Sequence, residues 1–125
     1  MPKAKVLLIE DDAITVDMYE AQFEIDDVPL AVAKNGHEGL VQAKKLKPAL
    51  ILLDVQMEDM NGLEVLRELK KDKSTANIAV IILSNTREAD CKEQGLKLGA
   101  MQYVMKAKIL PKDVVHLVQE QLAHA

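Results

Sequence analysis

At 125 residues with a net charge of −4, the chain holds one domain of ordinary size and no second one. Leu, Ile, Val and Phe supply 38 residues, enough for a sizeable core and well above the composition of disordered chains. The 16 basic residues are scattered among 20 acidic ones, so no electrostatic footprint for direct nucleic-acid binding exists. With only Tyr19, Phe23 and Tyr103 as aromatics, there is no stacking platform for single strands or sugars. The lone Cys91 excludes an intrachain disulfide and fits a reducing compartment. No apolar run approaches bilayer length and no signal peptide opens the chain, so a cytoplasmic protein without membrane insertion is expected.

In chain order, short aliphatic runs alternate with longer amphipathic stretches. The runs are Val6–Ile9, Pro29–Ala33, Leu50–Leu53, Val80–Leu83 and Gln102–Met105, and they read as five strands. The first, third and fourth are apolar at every position. A strand tolerates that only where both faces of the sheet are covered, as in a parallel sheet flanked by helices. Helices are predicted at Ala13–Ile25, Gly36–Lys47, Gly62–Lys71, Arg87–Leu98 and Pro111–Leu122, from apolar positions at helical spacing such as Leu63, Leu66 and Leu69. Asp12 is placed to cap the first, Pro111 to open the fifth and Gly99 to end the fourth in a left-handed conformation. Gly95 weakens the fourth helix by about 1 kcal/mol relative to alanine. The pattern is a five-stranded doubly wound α/β domain, and such sheets bind ligands beyond the carboxyl ends of their strands.

Polar residues stand where each apolar run stops: Glu10-Asp11-Asp12 after the first, Asp54 after the third, Ser84 after the fourth, Lys106 after the fifth. If the first and third strands are neighbours, their carboxylates approach closely and call for a cation. Oxygen donors with open water positions suit Mg²⁺ or Mn²⁺, whose remaining positions accept phosphoryl oxygens. Lys106 and the Ser84 hydroxyl complete a set that orients a phosphoryl group, and a carboxylate is a competent nucleophile toward phosphorus. The arrangement points to an aspartyl phosphate.

These residues carry a resemblance that spans the chain. Glu10-Asp11, Leu52-Leu53-Asp54 followed by Met57 and Met60-Asn61-Gly62, Ser84 after Val80–Leu83, and Gly99-Ala100 leading to Tyr103 and Lys106 resemble the receiver domain of two-component response regulators. The resemblance implies a flavodoxin-like fold with strand order 2-1-3-4-5. It implies that Asp54 accepts a phosphoryl group from a sensor histidine kinase or phosphotransfer protein. Asp11, Asp54 and the backbone carbonyl of Gln56 would ligate Mg²⁺, with Glu10 holding the metal's waters. Lys106 would pair with the phosphoryl oxygens, Ser84 would hydrogen-bond to them, and Tyr103 would act as the aromatic switch. The face made by the fourth helix, fifth strand and fifth helix would then change its preference for a downstream protein target, and the same face is a candidate for homodimerisation on phosphorylation. The span leaves no room for an output domain, so a stand-alone receiver without direct nucleic-acid contact is expected. It would be a signalling phosphoacceptor rather than a turnover enzyme, with at most self-catalysed phosphotransfer and dephosphorylation.

Three departures from the family pattern stand near the site. Glu58 replaces the usual proline, Asn85 follows Ser84 in place of a small residue, and Ala107 replaces the proline after Lys106, where the family's bond is commonly cis. They keep open a degenerate receiver acting as a phosphorylation-independent scaffold. A metal-dependent phosphohydrolase working through an aspartyl phosphate is weaker, because Gln56 stands where such enzymes need a second acid. A flavin carrier on the same fold is weaker still, since Glu10-Asp11-Asp12 would repel its phosphate. His37, His116 and His124 read as solvated, without partners at ligand or nucleophile spacing, and Cys91 as a structural or incidental thiol.

Overall fold

Fully buried aliphatic runs form the centre of a parallel sheet. The computed structural model describes residues 5–85 and 89–123. In chain order the elements are β1 (Val6–Ile9), α1 (Ala13–Ile25), β2 (Leu30–Ala33), α2 (Gly36–Leu46), β3 (Leu50–Leu53), α3 (Gly62–Lys71), β4 (Ala79–Ser84), α4 (Ala89–Lys97), β5 (Gln102–Met105) and α5 (Pro111–Ala123). One turn of 3-10 helix at Lys106–Lys108 follows β5. The sheet order is β2-β1-β3-β4-β5, all neighbours parallel. Every residue of β1 and β3 is buried, whereas β2 and β5, at the edges, are only partly covered. The uninterrupted apolar runs thus mark interior strands.

Side chains alternate between the two faces of a strand, and two cores result. Leu7, Ile9, Ile51, Leu53, Val80 and Ile82 face α2 and α3, joined by Cys91 and Leu98 of the α4 region. Val6, Leu8, Leu50, Leu52, Ile81 and Leu83 face α1 and α5, where Phe23, Val114, Val115 and Val118 meet them.

Local signals end the helices where expected. Asp12 caps α1 by accepting from the Thr15 backbone N–H, Pro111 opens α5, and Gly99 takes φ +108° after α4. Lys47, predicted as the last residue of the second helix, is instead its cap in a left-handed conformation. Pro29 stands outside β2, and β4 extends by one residue at each end. The predicted start of the fourth helix at Arg87 lies outside the described residues, as does His124. No described helix is long and apolar enough to cross a membrane.

Candidate phosphoacceptor site

The register β1 to β3 pairs Ile9 with Leu53, so Glu10 and Asp54 emerge side by side as the next residues. Asp54 N–H still donates to Ile9 O at 3.0 Å, and Glu10 N–H to Ala33 O at 3.0 Å. By strand alternation both side chains turn to the α1/α5 side of the sheet. Glu10 is 1% exposed and Asp54 6%. Lys106, one residue past Met105 in β5, shares that parity and reaches across the strand ends. Its Nζ contacts Glu10 Oε1 and lies 3.3 Å from Asp54 Oδ1. Asp11 stands exposed at the rim, and the three acids Glu10, Asp11 and Asp54 offer ligand oxygens within 4.8 Å of one another.

Three carboxylates therefore converge against one ammonium. Burial, with the neighbouring Glu10 carboxylate, holds Asp54 well above the usual carboxylate range, and Lys106 only partly opposes this. At the rim, hydrogen bonds from the Thr15 hydroxyl (2.5 Å) and backbone N–H (3.0 Å) pull Asp12 below its ordinary value. The donor set fits a hard divalent cation such as Mg²⁺ or Mn²⁺: all oxygen, net negative, with one acid exposed on the open side.

The cleft above these groups holds about 160 Å³ and is lined by Asp11, Asp12, Thr15, Gln56 and Asn85 besides Glu10, Asp54 and Lys106. Ser84 is fully buried and is not among the lining residues. β4 pairs Ile82 with Leu53, which puts Ser84 one step beyond the level of Asp54 and, by alternation, on the α2/α3 side of the sheet. Tyr103 pairs with Ile82, shares that side, and is half-buried against the core there, beside Gly95. The site thus divides into a charged half on one face and a Ser84/Tyr103 half on the other.

The β3–α3 loop fixes Asp54 from behind. Gly62 N–H donates to Val55 O at 2.7 Å, and a Cβ at Gly62 would stand 2.1 Å from Asp54 O and 2.7 Å from Val55 Cα. Only glycine allows that approach. Ala107 imposes no cis bond: the described residues contain none, and Lys106 reaches the acids with the trans peptide.

Two features escaped the sequence. His37, read as solvated, is exposed but paired, its Nδ1 2.6 Å from Asp59 Oδ2. Asp59 also accepts from the Gly36 and His37 backbone N–H groups at 2.9 Å each; burial is the largest single influence and raises its pKa, but these hydrogen bonds together outweigh it and hold the carboxyl well below its usual value. The second is the Glu58 N–H, which donates to Asp11 Oδ2 at 3.1 Å. Both contacts join residues more than 20 positions apart through loop conformation, which no periodicity announces. Thr15, by contrast, was detectable as the partner three residues after a capping Asp12.

The family described as the response regulator receiver domain matches residues 6–119. Among curated proteins, Protein PilH of Pseudomonas aeruginosa is 31% identical over 103 residues, 82% of this chain and 85% of that protein. The phosphate regulon transcriptional regulatory protein PhoB of the same organism is 33% identical over 110 residues, covering 88% of this chain and 48% of PhoB. The chain spans about half the length of several curated relatives it matches, the probable transcriptional regulator ycf27 of Porphyra purpurea among them at 49%. Among solved structures, the receiver domain of Francisella response regulator 1452 superposes with TM-score 0.86 at 27% identity, covering 97% of this chain and 98% of the other. A CheY-like receiver protein from Methanospirillum hungatei reaches TM-score 0.87 at 24% identity over 95% and 93% of the two chains, a likeness of fold.

Proposed function

The chain belongs to the response regulator receiver domain family of two-component systems, and from that premise we propose that Asp54 accepts a phosphoryl group from a phosphohistidine on a sensor kinase or phosphotransfer protein. The observation that carries this is one buried carboxylate at a strand end, within reach of a single ammonium and beside two further acids. In the transfer, an Asp54 carboxylate oxygen attacks phosphorus, the phosphorus–nitrogen bond breaks, and its electrons return to the imidazole of the donor, which takes up a proton. Lys106 meets the negative charge of the phosphoryl oxygens.

Asp11, Asp54 and the Gln56 backbone carbonyl would hold Mg²⁺, or Mn²⁺ in its place, with Glu10 on the ion's waters. When bound, the ion neutralises charge between the acids and the incoming phosphoryl oxygens. Among the chain's own residues, Asn85 and Gln56 stand at the mouth of the cleft and limit what reaches Asp54.

Once Asp54 is phosphorylated, the added charge and acceptors draw the Ser84 hydroxyl, and Tyr103 on the same face of the sheet responds. The change passes to a downstream protein through α4, β5 and α5; between β5 and α5 an open groove of about 480 Å³ is lined in part by Tyr103, Ile109, His116 and Leu117. The test is chemical: treatment with acetyl phosphate and Mg²⁺, then borohydride, which reduces an aspartyl phosphate to homoserine. Peptide mapping should find the homoserine at position 54. Modification at any other acid would overturn the assignment.

A further inference from the structure

Glu58 stands where the family usually carries proline, and its amide makes a bond that a proline cannot. The Glu58 N–H donates to Asp11 Oδ2 at 3.1 Å across 47 residues of sequence, and proline has no N–H. The donor is itself held in place. The next residue, Asp59, is fastened to the start of α2 by the Gly36 and His37 N–H groups and the His37 ring, and Gly62 N–H to Val55 O closes the loop at its base.

We propose that the Glu58 amide is a positioning group that holds the Asp11 carboxylate toward Glu10 and Asp54 before the ion arrives. Asp11 is exposed, and an exposed aspartate otherwise loses rotamer freedom when it ligates. A hydrogen bond to the ionised form fixes one oxygen and leaves the other for the cation. The inference rests on the reading of Asp11 as a metal ligand.

Direct Mg²⁺ titration by calorimetry separates the possibilities, using wild type, Glu58→Ala, Glu58→Pro and Asp11→Ala. The two Glu58 variants both lack the carboxylate and differ at the amide. Glu58→Pro should bind Mg²⁺ about three- to tenfold more weakly than Glu58→Ala, less than the roughly 10–100-fold typical of groups that orient a metal ligand because the contact is exposed. In the wild-type protein the Glu58 amide proton should resonate downfield and move upfield in Asp11→Ala, a reading that survives even if the proline variant fails to fold. Equal affinities for a folded Glu58→Pro and Glu58→Ala, or an amide shift indifferent to Asp11, would overturn the inference. Wild-type affinity in Asp11→Ala, or no binding by wild type, would overturn the ligand reading and this inference with it.

Discussion

Asp54 carries its charge in unfavourable surroundings, buried beside Glu10 with Lys106 as partial relief. The direction of its shift fixes a dependence on pH. The unfolded chain ionises this aspartate near pH 4, while the folded protein keeps the proton to higher pH. Between those points the folded state binds more protons, so the stability this group contributes is complete below about pH 4 and is lost as pH rises toward neutrality. Without metal, Asp54→Asn should therefore gain on wild type by about 1–3 kcal/mol between pH 5 and pH 8, read from denaturant unfolding in chelator. A constant difference between the two proteins would show that Asp54 titrates normally. The convergence of Asp54, Lys106 and Glu10 was legible at this scale because each follows directly on an apolar strand, so period-2 alternation aims all three the same way. Ser84 was legible as a strand end, but its parity turns it to the opposite face, which a list of strand ends does not reveal.

At the scale of elements, the β3–α3 loop does the most to place the site. Its glycine was visible in the sequence only through spacing from Asp54, and the reason for it is steric: a methyl group at Gly62 would overlap the Asp54 carbonyl. Gly62→Ala should cost about 2–4 kcal/mol because backbone rather than a flexible side chain must yield. The same change should slow phosphorylation even where the variant stays folded; an alanine variant with wild-type stability and rate would refute the steric account. Among the described residues the bounds of strands and helices were legible to within one residue, because uninterrupted aliphatic runs, Asp12, Pro111 and Gly99 are local signals. The contacts Glu58–Asp11 and His37–Asp59 were not, since they arise from how two loops meet over the sheet edge.

Across the whole molecule, the strand order brings residues 10, 54 and 106 to one edge, although they are far apart in sequence. A cation bound there would tie the β1–α1 loop to the β3–α3 loop, and it would stabilise only the folded chain. Mg²⁺ at a hundredfold excess over its Kd should add about 2.7 kcal/mol to wild-type stability, and Asp11→Ala should show little of that gain at the same concentration. An equal gain in the variant would mean that the ion binds elsewhere. The strand order followed from the family resemblance, since apolar runs alone fix which strands are interior but not their sequence across the sheet.

A phosphoacceptor at this edge would show itself in the intact mass of the protein after incubation with acetyl phosphate. Wild type should gain one phosphoryl group only when Mg²⁺ is present, and Asp54→Asn should gain none. A folded, Mg²⁺-loaded wild-type protein that stays unmodified, or an Asp54→Asn variant that gains the same adduct, would contradict it.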